Sequence, residues 1–140
     1  MAVSPLRGLK QTFANMEAEL KAVDRRTMSG LMASGLKVQR LSQTRVPVEY
    51  GNLKGSAFTR KVEGRQAVQV GYTASYAVFV HEDMEQSWKG KPRASGLGVY
   101  WGPSGGPKYL ENPLRELYAN GPIMSPLRAH ARARRGEKPA

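Results

Sequence analysis

Three consecutive polar residues, His81, Glu82 and Asp83, follow directly on the apolar run Tyr76 to Val80 in the stretch YAVFVHEDMEQSW. An imidazole and two carboxylates are groups that bind metals and move protons. Their spacing argues against both uses. Helical side chains that converge on one ion sit three or four residues apart, because adjacent ones point in different directions. The other histidine, His130, lies in a basic stretch that repels cations, and neither HExxH nor a carboxylate-rich partner motif is present. The three are expected to form the polar edge of a packed element. Tyr76 to Val80 would be buried against a strand pair and the first helix. His81 to Asp83 would emerge toward a neighbouring subunit, where Glu82 or Asp83 could meet an Arg or Lys.

Other candidate chemistry fares no better. GNLKGS (51–56) and GPSGGPK (102–108) are glycine-rich, but neither has the GxxxxGK[ST] spacing that cradles phosphates. The first follows a helical pattern and precedes a strand, the reverse of a strand–loop–helix phosphate site. Ser56, Ser75 and Ser104 lack the GxSxG setting of a nucleophile. With no cysteine among 140 residues, disulfides, thiolate zinc sites and Cys nucleophiles are excluded. Neither a catalytic residue nor a cofactor is expected, so the chain does not read as an enzyme.

Charge is the stronger signal. The net charge of +11 points to a polyanionic neighbour or to acidic protein surfaces. It is unevenly spread: +7 over residues 1–61, zero over 62–127 and +4 over 128–140. In the last segment Arg128, Arg132 and Arg135 fall at helical spacing, with Arg134 off the row. Such a row can neutralise phosphates without reading bases, and no aromatic is interleaved for base stacking. A solvated basic end is the alternative. No apolar run approaches the roughly 20 residues of a membrane span, and the N-terminus lacks a signal-peptide core. A soluble, intracellular protein is expected.

The elements that must position these residues follow from periodicity. Ser4-Pro5 reads as cap and first position of a helix. Leu6, Leu9, Phe13, Met16, Leu20 and Val23 then recur in steps of three and four, an amphipathic seam that Leu31, Val38 and Leu41 continue past Gly30 and Gly35. This is either one long helix with a soft point or two helices meeting at a glycine. A helix of roughly 40 residues would extend about 60 Å, more than so small a domain can cover. Part of the seam must pack on another chain or fold back on its own core.

Val46-Pro47 ends that pattern. Alternation over 57–62 and 67–72 predicts two short antiparallel strands, with Glu63-Gly64-Arg65 as the turn. Residues 76–80 read as a short helix, 84–106 as a long loop with GLGVYWG as a possible third strand. A further helix starts near Pro107, with a kink or fresh start at Pro113, and Gly121-Pro122 stops it. The fold class is α+β: a long N-terminal helix (region 1–45) packed on a small antiparallel sheet, with a short helix and a C-terminal helix. One domain spans 1–121 and a basic extension 122–140.

The order of these pieces resembles the tail-completion and minor head–tail joining proteins of long-tailed bacteriophages. The motif residues are Pro47, Val48, Gly51, Asn52, Leu53 and Ser56, then Tyr76, Ala77, Val80 and Glu82 (displaced by His81). Lys108, Tyr109, Leu110 and Pro113 complete the set. The family's Gly-Thr after the Tyr-Ala element is missing, and the loop that follows is longer and more basic. The resemblance implies a non-catalytic structural subunit of the virion neck or tail top, assembled in the host cytoplasm. It implies a homo-oligomeric ring, a hexamer or dodecamer, contacting other neck, portal-side or tail-tube proteins. Genomic DNA would pass through the lumen without specific contacts. A basic, non-enzymatic nucleic-acid-binding module is the alternative that charge alone suggests.

Overall fold

The computed structural model describes residues 5–48, 50–87, 89–101 and 105–121. Six elements follow in chain order: α1 (Pro5–Gln43), α2 (Asn52–Gly55), β1 (Ala57–Lys61), β2 (Val68–Tyr72), α3 (Ala77–Glu82) and α4 (Glu111–Ala119). This is the expected α+β arrangement: a long leading helix, one antiparallel strand pair, a short helix and a C-terminal helix. The extension 122–140, with Arg128, Arg132, Arg134 and Arg135, lies outside the described residues.

α1 runs unbroken for 39 residues, so the two-helix alternative falls away. Pro5 occupies its first turn, where a missing N–H costs nothing; the expected cap, Ser4, lies outside the described residues. The two glycines are packing positions rather than soft points. Gly30, Ser34, Gly35 and Val38 are all buried. A Cβ on Gly35 would come within 2.9 Å of both Thr59 Cγ2 and Val68 Cγ1. The strands therefore approach the helix backbone itself, which offsets the roughly 1 kcal/mol that glycine costs inside a helix. Ser34 satisfies its buried hydroxyl by donating to the Gly30 carbonyl at 2.9 Å.

β1 and β2 pair in register from Ala57↔Tyr72 to Lys61↔Val68. The turn closes where Val62 N–H donates to the Ala67 carbonyl at 3.0 Å, with Gly64 at φ +70°, a value that favours glycine. Thr59 Oγ1 donates to Gln39 Oε1 at 2.5 Å, and at the hairpin tip Gln66 Nε2 donates to Asp24 Oδ1 at 2.5 Å. Cover ends there. Every residue from 8 to 21 is exposed, and Leu9, Phe13, Met16 and Leu20 are each 53–64% accessible. At about 100° per residue, these four lie on the same side of α1 as Gly30, Ser34 and Val38. One face is half covered and half bare.

Two expectations need correction. GLGVYWG is not a third strand: only the single bridge Pro92↔Val99 forms, since the glycines at 96 and 98 adopt φ of +73° and +92° and break an extended run. The last helix begins at Glu111 with Leu110 as its cap, not at Pro107. Pro113 then falls in its first turn, where the backbone N–H has no intrahelical partner to lose, so no kink is needed. Gly121 ends the element at φ +77°.

Gly35→Leu is expected to lower unfolding free energy by about 1–3 kcal/mol through overpacking. Gly8→Ala, in open space on the bare half of the same helix, is expected to raise it by up to about 1 kcal/mol. Urea denaturation of the two variants measures both.

Candidate functional site

Tyr109 holds the body together. It is 1% exposed, and its hydroxyl donates to the Ala77 carbonyl in α3 at 2.7 Å. Two rings meet it edge-on, Tyr72 at 5.2 Å and His81 at 5.0 Å between centroids. The Tyr72 hydroxyl in turn pairs with Ser42 Oγ of α1 at 2.7 Å. A polar and aromatic chain thus runs from α1 through β2 to the segment before α4, and on to α3. Burial pushes the Tyr109 phenol far above its usual range and raises that of Tyr72. Both stay neutral at physiological pH.

Lys108, beside Tyr109, takes a left-handed backbone (φ +56°) that turns its N–H toward the His81 carbonyl at 2.8 Å. Its ammonium bonds Glu82 and lies 3.5 Å from Glu111. Glu82 also meets His81 Nδ1 at 2.7 Å. The Lys108 ammonium first, and the His81 ring second, hold the Glu82 carboxyl below its usual range; Lys108 is raised by the same bond. A second clamp joins the end of α1 to α4: Arg45 donates two bonds to Glu116, at 2.8 and 2.7 Å. The Arg45 bond holds Glu116 low, and Glu116 raises Arg45.

Beside this joint lies a cleft of about 250 Å³ lined by Pro47, Tyr50, Gly51, Asn52, Leu53, Tyr76, Val80, Tyr100 and Trp101. The residues singled out from sequence therefore gather in one region. Pro47, Gly51, Asn52, Leu53, Tyr76 and Val80 line the cleft. Val48 N–H donates to the Tyr100 carbonyl at 3.0 Å. Ser56 caps two turns at once: its hydroxyl donates to the Leu53 carbonyl and accepts from Ala74 N–H. Ala77 and Pro113 are buried, Leu110 packs on the core, and Glu82, Lys108 and Tyr109 form the joint.

The burial expected of 76–80 is only partly found. Ala77 is buried and Val80 half-buried, but Tyr76 is 45%, Val78 69% and Phe79 78% exposed. A six-residue helix turns through every direction, so five successive apolar side chains cannot all face inward. His81 to Asp83 likewise do not simply project toward a neighbour. His81 packs on Tyr109, Glu82 pairs with Lys108, and Asp83 accepts from Ser87 N–H and Oγ at 3.0 and 3.1 Å. The three diverge because they are adjacent on a helix end. Among the described residues no group of three His, Asp or Glu is placed to hold a metal ion, and no helix is long and apolar enough to cross a membrane.

Sequence reasoning missed Tyr72, Trp101 and the Arg45–Glu116 clamp. Trp101, 3% exposed, sits in a glycine-rich run read as loop; the apolar triplet Val99-Tyr100-Trp101 was the available sign of an anchor. Arg45 and Glu116 are 71 residues apart and carry no local signature.

The site is thus a bonded joint around Tyr109, flanked by an apolar cleft, on a small α+β body. No protein-family model, curated protein or solved structure matches this chain.

Tyr109→Phe should lower stability by about 1–3 kcal/mol, because the buried Ala77 carbonyl loses its donor; thermal or urea unfolding reads it. Glu82 and Glu116 titrate lower folded than unfolded. The stability they add is present above the unfolded carboxyl value of about 4.3 and lost as pH falls through their folded values. The urea midpoint should therefore drop below about pH 4.3, and the double variant Glu82→Gln, Glu116→Gln should show a shallower drop.

Proposed function

We propose that this chain is a structural subunit of the phage neck or tail top, of the tail-completion or head–tail joining type, and that copies of it assemble into a ring around the DNA path. The observation that carries the reading is the bare half of α1. Leu9, Phe13, Met16 and Leu20 form a stripe of large apolar side chains that the other described residues leave uncovered. Contiguous exposed apolar surface of this kind marks interaction sites. The stripe repeats in steps of four, three and four, the spacing of a seam that packs on another surface along its length.

Two further features support it. The three motif segments that carry the family resemblance are scattered over residues 47–113, yet they meet around Tyr109 and the adjoining cleft. The joint they build is mechanical: its charged groups are paired in salt bridges and its buried hydroxyls are bonded to each other or to backbone. The net charge of +11 suits a subunit set between acidic protein surfaces and genomic DNA.

Mass photometry and sedimentation velocity of the purified chain should give a multi-subunit species, and negative-stain images should show rings. Phe13→Glu with Leu20→Glu should yield a folded monomer with the wild-type circular dichroism spectrum, since both side chains are exposed in the single chain; its melting temperature should fall only by what association contributes to the wild type. A wild-type protein that stays monomeric and shifts duplex DNA with a steep salt dependence would instead establish the basic nucleic-acid-binding module.

A further inference from the structure

The bare segment of α1 is a match for itself. Every residue from 8 to 21 is exposed, and Leu9, Phe13, Met16 and Leu20 are its large apolar side chains. Their spacing of four, three and four is that of a coiled-coil seam, in which knobs of one helix enter holes of another. The midpoint of the segment falls between Ala14 and Asn15. Two copies laid antiparallel about that midpoint put Leu9 opposite Leu20 and Phe13 opposite Met16, so each of these side chains has one facing it. The same register puts Pro5, the first residue of α1, opposite Asp24, where Gln66 ties down the hairpin tip. The partner helix thus ends where the chain's own cover begins.

Charge points to the same occupant. The charged residues of 8–21 are Lys10, Glu17, Glu19 and Lys21, a net charge of zero in a chain of +11. Such a segment draws neither a polyanion nor an acidic surface, and two copies of it do not repel. Lys10 and Glu17 lie on one flank of the seam, each one position past an apolar residue, and Glu19 lies on the other with Thr12. In an antiparallel pair like flanks meet, and Lys10 of each copy faces the partner's Glu17. In a parallel pair opposite flanks meet, and Glu19 would face the partner's Asp24, a like-charge contact made twice. Glu17 also bonds Lys21 of its own helix at 2.8 Å, but the two side chains are 68% and 71% exposed. A surface pair of this kind is weak, and one carboxylate can serve two ammonium groups.

We infer that the α1 stripe is covered by the same stripe of a second copy, run antiparallel, with Leu9 on Leu20, Phe13 on Met16 and Lys10 beside Glu17. The contact is isologous, using one patch on both partners, and it closes on two copies. Residues 5–24 supply about 30 Å of paired helix at 1.5 Å per residue, with the two bodies at opposite ends of it. This rests on the self-assembly reading above and specifies one of its contacts: in a ring the pair is the repeating unit, the number of copies is even, and pairs join through their bodies.

The absence of native cysteine makes a direct test available. Leu9→Cys and Leu20→Cys, both at exposed positions, are prepared with tags of different size and oxidised gently, each alone and then mixed in equal amounts. Arg65→Cys, exposed at the hairpin tip, serves as the collision control. The expected result is a mixed 9–20 disulfide dimer that forms several-fold faster than 9–9, 20–20 or any product with position 65. In the antiparallel register two copies of position 9 stand about 16 Å apart along the axis at 1.5 Å per residue, beyond the roughly 7 Å between Cα atoms that a disulfide spans.

Preferential 9–9 and 20–20 products would mean that the stripes pair in parallel, which overturns the inference and leaves self-assembly standing. Control-level cross-linking from a wild-type protein that still forms large species would place the contact elsewhere, and it too overturns the inference while self-assembly stands. A wild-type chain that stops at dimers, cross-linked from 9 to 20, upholds this contact and overturns the ring. A wild-type chain that is monomeric at all concentrations would overturn both.

Discussion

The approach of the strand pair to the bare backbone of α1 at Gly35 is the contact on which the rest of the fold depends. Gly30, Ser34 and Gly35 are buried, and at Gly35 the absence of a side chain lets Thr59 and Val68 come within methyl contact of the helix itself. Earlier in the helix, roughly three to seven turns away at 3.6 residues per turn, side-chain size jumps to Leu20, Met16, Phe13 and Leu9. Each strand has five residues, about 17 Å at 3.3 Å per residue, against roughly 58 Å of helix at 1.5 Å per residue. The sheet can cover only a fraction of α1, and it sits where the residues are small. The large ones are left for something else.

Tyr109 is the second anchor, and its strength lies in burial rather than in charge. The ion pairs around it, Lys108–Glu82 and Arg45–Glu116, are partly exposed, and such pairs are typically worth about 0–1 kcal/mol. They orient the segments more than they hold them. The Tyr109 ring and its bond to the Ala77 carbonyl fix the rotation of α3 about its axis. That rotation decides which of the apolar residues 76–80 face inward. With Ala77 turned toward Tyr109, Phe79 and Val78 must face outward. The exposed surface beside the cleft is therefore a consequence of the core, not a defect in it.

Much of this was legible in the sequence. The seam spacing gave α1, alternation gave both strands, and Gly64 marked the turn, because each is a local pattern with one physical cause. The motif residues at 47–56, 76–82 and 108–113 were visible as types and order, though nothing local said that they would meet. Pairings such as Arg45–Glu116 and Ser42–Tyr72 join distant residues and leave no periodic trace. The 76–80 run misled for a different reason: composition suggested burial, but six residues of helix expose two or three of five side chains whatever their polarity. Gly35 read as a weak point because propensity is local, whereas its role is set by strands more than 20 residues away.

That role bears on the assembly proposed above. Copies joined through two surfaces form a closed ring only if the angle between those surfaces is fixed near a fraction of a full turn; otherwise they form open filaments. In the proposed assembly the bare stripe lies toward one end of α1 and the body around Tyr109 at the other, so α1 would set that angle. A helix hinged at Gly30 or Gly35 would let it wander. Gly35 packs against Thr59, Val68 and Val70, and the helix is tied to the hairpin on either side of it at Gln39 and Asp24. The far end is oriented against α4 by the two-pronged Arg45–Glu116 pair. A rod braced in this way carries the orientation of the body out to the stripe, and a fixed orientation is what the proposed ring would require.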